Sequence, residues 1–127
     1  MRPENADLKS MWDMLERARY AVEFTAGITL ETYLSDKLRR AALERTIEVL
    51  GEAARRVSKE GRDKVPAIAW SAIVATRHIV AHNYDTIDHD NIWRIATVHV
   101  PVLIEQLEPF LAAHQPPPSA YKDLGSP

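Results

Sequence analysis

The stretch DKLRRAALERTIEVLGEAARRVSK, residues 36–59, contains no proline and a single glycine. Leu43, Ile47, Leu50, Ala54 and Val57 recur within it at three- and four-residue steps, so they form one seam of a helix turning about 100° per residue. Arg45, Glu48, Glu52, Arg55 and Lys59 fall largely elsewhere around the cylinder. The spacing predicts a long amphipathic helix from about Asp36 to Lys59. Gly51 is the irregularity: mid-helix it costs up to ~1 kcal/mol relative to alanine. The close approach of another backbone would account for it.

The same periodicity extends outward from this helix. Upstream, Leu8, Met11, Trp12, Leu15, Ala18 and Val22 form an apolar stripe, predicting a helix from about Asn5 to Thr25 that stops at Gly27. Thr29 is a candidate cap for a short connecting turn or helix. Downstream, Gly61 to Val65 reads as a loop, and Pro66 suits the first turn of a third long helix running from about Ala67 to His82. Asp88 or Asp90 can cap a fourth helix reaching about Ala113. Pro101 should kink or divide it. No period-2 strand pattern or internal repeat occurs. The expected fold is all-α, an up-down bundle of four or five helices over residues 1–114, with residues 115–127 as a mobile Pro-rich tail.

The 127 residues suit one domain with its own core. With no cysteine, disulfides and thiolate metal sites are excluded. No uninterrupted apolar run reaches the ~18–20 residues of a membrane helix, and Met1 to Ser10 lacks the apolar core of a secretory signal. A soluble, cytoplasmic protein with no membrane partner is expected. The net charge of -2 argues against global attraction to nucleic acid. A local basic surface is nevertheless available, since Lys37, Arg39, Arg40, Arg45, Arg55, Arg56, Lys59, Arg62 and Lys64 outnumber the acidic residues among them.

The third helix holds the candidate chemistry. Trp70, Ile73, Val74, Val80 and Ala81 share a face with Arg77 at its centre. A guanidinium there requires a carboxylate, a phosphate or a solvated cleft. Pairing with Glu48 or Glu52 would make Arg77 a tie between helices, whereas phosphate binding would make it functional. His78 and His82 share a second face, flanked by Ile68, Ala72 and Ile79, so this helix is either central in the bundle or part of a subunit interface. Imidazoles move protons near neutral pH, and RNA cleavage needs a base, an acid and a cation. On an ideal helix His82 lies about 140° from Arg77, so a loosened helix end or a second subunit would be needed to bring them together. His78 and His82 also have zinc-ligand spacing, but a third ligand would have to come from His89, Asp85 or Asp88, and no general-base glutamate follows His78. Tyr84 on its residues alone is a helix-end aromatic.

At Arg77-x4-His82-x-Tyr84 the chain resembles the HepT branch of the HEPN superfamily. Glu23 to Gly27, Arg45 to Ala54, Pro66, Ile92-Trp93 and Val100 to Leu103 follow that family in the same order, so the resemblance spans about residues 7–112. It implies a metal-independent endoribonuclease toxin, without a cofactor of its own, whose cleft forms between two antiparallel protomers. It also implies an MntA-type nucleotidyltransferase antitoxin that uses ATP to place AMP on the motif tyrosine. Carried over by position, Arg77 and His82 would be catalytic and Tyr84 the modified residue. His78 stands where asparagine or aspartate is commoner and would support catalysis. The alternative is a non-catalytic HEPN-like module that binds and regulates a nucleotidyltransferase.

Overall fold

The computed structural model describes residues 3–81 and 87–114. Met1 and Arg2, the segment 82–86 with His82 and Tyr84, and the tail 115–127 lie outside the described residues. The long elements are α1 (Pro3–Thr25), α3 (Lys37–Arg55), α5 (Trp70–Ala81) and the run formed by α6 (His89–Arg94), a π-helical segment (Ile95–His99) and α7 (Val100–Ala112). Two short helices, α2 (Leu30–Ser35) and α4 (Lys59–Asp63), join them. Among the described residues there is no strand, and the fold is the expected all-α bundle.

Helix starts are set by side chains that take over an otherwise unpaired backbone N–H. Thr32 N–H donates to Thr29 Oγ1 at 3.2 Å, Arg39 N–H to Asp36 Oδ1 at 3.0 Å, and Asn91 N–H to Asp88 Oδ1 at 3.1 Å. Helix α3 stops at Arg55, four residues short of the expected end, because Ser58 opens α4 by accepting from Gly61 N–H at 3.1 Å. The expected loop at Gly61 to Val65 is therefore partly helical. Asp7 of α1 reinforces that junction, accepting from Ser58 N–H at 2.9 Å and from the Ser58 hydroxyl. A Cβ on Gly61 would lie 2.6 Å from Asp7 Oδ2. Asp7→Ala is expected to lower unfolding free energy by about 1–3 kcal/mol, since it strands a part-buried donor. Urea denaturation with unchanged m would show it.

Helix α3 lies between α1 and α5, and α1 also packs on α7. α1 and α3 run antiparallel: Asp7 meets Ser58 at one end, while Arg39 donates to the Phe24 carbonyl at the other. The anticipated α3 seam is buried throughout, with Leu43, Ile47 and Ala54 wholly inaccessible. In α1 the stripe is rotated from the expected one. Met14 and Ala21 are buried and Val22 is 37% exposed, because the buried set follows the antiparallel partner and drifts off a straight line.

Helix α5 begins at Trp70, three residues later than expected, with Pro66 in the preceding turn. Pro101 divides its helix as expected, standing where the π-helical segment gives way to α7 while the chain stays helical. It has no N–H to donate to Thr97, and the turn before it widens so that Val100 N–H reaches the Ile95 carbonyl. The resulting run, His89–Ala112, is 24 residues long and by length and composition apolar enough to cross a membrane. Here it buries Ile92, Ala96, Val100, Leu103, Leu107 and Leu111 in the core and leaves Glu105 and Glu108 exposed, as a bundle helix does.

Candidate active groove

A groove of about 580 Å³ opens between α1, α3 and α5, and both Arg77 and His78 line it. Its geometry begins with Gly51. A Cβ there would stand 3.0 Å from the Ile73 carbonyl oxygen, 3.1 Å from Arg77 N and 2.9 Å from Thr76 Oγ1. The backbones of α3 and α5 thus touch where the sequence placed its unexplained glycine. That contact sets Arg77 beside Glu52, the residue after Gly51.

Arg77 Nη1 donates to Glu52 Oε2 at 3.0 Å, with each side chain about one-third exposed (32% and 31%). Of the two partners that the sequence allowed, Glu52 is the one used. Glu52 is itself clamped: its Oε1 accepts from Arg55 Nη2 at 2.7 Å and Nε at 3.2 Å. The Arg55 hydrogen bonds, then those of Arg77, pull the Glu52 carboxyl down to about 2. Its pairing free energy is present above the ordinary carboxylate value and fades only as pH falls towards 2. From pH 5 to 9 Glu52 therefore keeps its charge.

The Nε of Arg77 is buried and has no hydrogen-bond partner among the described residues. Arg77 is thus held on one side by a carboxylate and still borders a solvated groove, which suits a group that meets an incoming anion. His78 is exposed on the groove's rim. His82 and Tyr84 lie outside the described residues. His89, a candidate third zinc ligand, instead faces Glu44, with Nδ1 3.0 Å from Oε1. Among the described residues no three histidine or acidic side chains gather as a metal-binding set.

The basic residues anticipated between positions 37 and 64 do not act as one patch. Arg39 ties α3 to the end of α1, and Arg62 donates to the Val57 and Ala54 carbonyls with its guanidinium 5.7 Å from the Trp70 ring centre. Arg45 and Arg56 line the groove. Arg17 of α1 lines it too and was not among the anticipated residues. Its only sequence signal is its place on the side of α1 away from the apolar stripe, which many solvated arginines share. On the other side of α5, a second groove of about 400 Å³ is bordered by Ala72, Ile73, Val98 and Val102, with Val98 and Val102 about half exposed.

A family model described as Ribonuclease HepT-like matches residues 14–110. A protein of Methanocaldococcus jannaschii named as a putative RNase is 34% identical over 103 residues, covering 80% of this chain and 94% of the relative. A second from the same organism, also named as a putative RNase, is 31% identical over 98 residues, covering 77% and 81%. A protein of Thermococcus cleftensis named as a probable ribonuclease HepT is 28% identical over 96 residues, covering 76% and 87%. No solved structure matches the chain significantly.

Proposed function

We propose, from the premise that the chain belongs to the HepT-like ribonuclease family, that it is an endoribonuclease toxin working without a metal. The observation that carries this reading is Arg77, a clamped guanidinium on an open groove. In the proposed reaction a 2′-oxygen attacks the adjacent phosphorus as a base removes its proton. The bond to the 5′-oxygen breaks, and an acid protonates that oxygen. The products are a 2′,3′-cyclic phosphate and a 5′-hydroxyl. Arg77 balances the charge gathering on the phosphorane, His82 moves the protons, and His78 assists from the rim.

The active assembly in this reading is a homodimer in the cytoplasm, and the apolar groove with exposed Val98 and Val102 supports a second copy packing beside α5. An MntA-type nucleotidyltransferase is the proposed antitoxin. The Tyr84 oxygen attacks the α-phosphorus of ATP, pyrophosphate leaves, and the phenol proton goes to solvent. The attached phosphodiester then brings bulk and negative charge to a cleft that must accept RNA phosphates.

The test pairs intact-mass spectrometry with RNA cleavage assayed in a chelator. Incubation with ATP and the nucleotidyltransferase should add AMP-sized mass to wild type and none to Tyr84→Phe, with cleavage lost only in wild type. His82→Ala should cleave at least about 100-fold more slowly before any modification. No cleavage by unmodified wild type, with no mass gain, would leave the non-catalytic binding module as the better account.

A further inference from the structure

The groove between α1, α3 and α5 carries more positive charge than the Arg77–Glu52 pair explains. Its carboxylates are each already engaged: Asp13 by Lys9 at 3.2 Å, Glu48 by Arg45, and Glu52 by Arg55 and Arg77. Among the described residues Arg17 pairs only with Glu16, at 3.5 Å, and is steadied 5.1 Å from the centre of the Tyr20 ring. Arg56, exposed at the C-terminal cap of α3, makes no ion pair among the described residues. Lining residues and their partners thus supply six cations against four carboxylates, on a chain whose net charge is -2.

We infer that this groove is a track for the sugar–phosphate backbone of unpaired RNA, in which Arg17 and Arg56 hold phosphates flanking the one at Arg77. The inference rests on the ribonuclease reading and extends it to residues outside the motif. Along α3, Arg45, Glu48, Val49, Glu52 and Arg56 share one face, and Arg45 and Arg56 lie about 16 Å apart at 1.5 Å per residue. Cations therefore stand at the two ends of the stripe, with Arg77 reaching its middle from α5. Phosphates a nucleotide apart can meet these guanidinium groups in turn. An acidic peptide, with carboxylates at closer intervals, would confront Glu48 and Glu52. The groove's volume is that of a single small-ligand site, about 300–1,000 Å³. It suits an unpaired nucleotide with its neighbouring phosphates and is too small for a duplex.

The experiment measures fluorescence anisotropy of a labelled 2′-O-methyl oligoribonucleotide, which keeps the phosphates and cannot be cleaved, against the full chain over a salt series. Arg17→Gln and Arg56→Gln should each weaken binding about 3- to 10-fold at low salt. Each should also flatten the log–log salt dependence by about 0.7 per lost phosphate contact. Lys64→Gln, on the α4–α5 connection, should behave as wild type. Binding by wild type that neither groove variant weakens would overturn the track and leave the ribonuclease reading intact. No binding by wild type would also overturn it, and cleavage of unmodified RNA by the same preparation would show whether that reading falls too. Displacement of the oligonucleotide by polyglutamate as readily as by unlabelled RNA would overturn it in favour of an acidic protein partner. Both arginines are outside the core, so unchanged thermal melts should accompany the weakened binding.

Discussion

Arg77→Gln is expected to slow RNA cleavage by about 100- to 1,000-fold, the range seen when one preorganised group that stabilises transition-state charge is removed. Arg77→Lys should recover only part of this, because an ammonium cannot reproduce the planar fork. The fold should barely respond. Arg77 and Glu52 are each about one-third exposed, so solvent screens their pair and it contributes little to stability, and Glu52 keeps Arg55 when Arg77 is gone. Single-turnover rates alongside thermal melts separate the two roles. Full activity with a lowered melting temperature would make Arg77 a tie between α3 and α5 and nothing more. Because Glu52 stays ionised far below neutrality, a bell or slope in the rate between pH 5 and 9 cannot come from this pair. It would belong to the histidines.

Features set by local chemistry or by one helix's own period were legible in the sequence. The caps at Thr29 and Asp88 act across three residues, and the α3 seam repeats every turn. Features set by register between distant segments were not. Asp7 reaches Ser58 across 51 positions, and that contact fastens the junction of α3 and α4 to α1. The rotation of the α1 stripe towards Met14 and away from Val22 likewise depends on what α1 packs against. Pro101 announced that a hydrogen bond would be missing but not how the backbone would absorb it, and a π turn leaves no other mark on composition.

The site divides along the same line. An arginine in the middle of an apolar stripe signalled the need for a partner, and helical spacing narrowed the choice to Glu48 or Glu52. Only the crossing of α3 and α5 selects Glu52, leaving Glu48 to Arg45. Arg17 shows the limit of sequence reading. Nothing near it distinguishes it from any solvated arginine, and its place in the groove exists only once α1 is laid against α3.

Gly51 ties the fold to the site, and its replacement should damage both. Alanine would ordinarily gain about 1 kcal/mol in a helix interior. Here its Cβ would press on the Ile73 carbonyl and the Arg77 amide, which are backbone atoms, and on a threonine oxygen that could rotate away. Overpacking of this kind costs about 1–3 kcal/mol. The net expectation for Gly51→Ala is a loss of about 1 kcal/mol, or a few degrees in melting temperature. Gly51→Leu cannot be accommodated without separating α3 from α5 and should lose more than about 3 kcal/mol. The activity prediction is sharper. Arg77 rides on the contacted segment, so even the tolerated alanine should shift its guanidinium and cut cleavage well beyond what the small stability loss explains. Cleavage measured well below the melting transition, where nearly all molecules are folded, isolates that effect. A Gly51→Ala protein that gains the full helix-propensity increment and cleaves at the wild-type rate would show that the α3–α5 crossing is looser than 3 Å contacts imply, and would remove Gly51 from the machinery that positions Arg77.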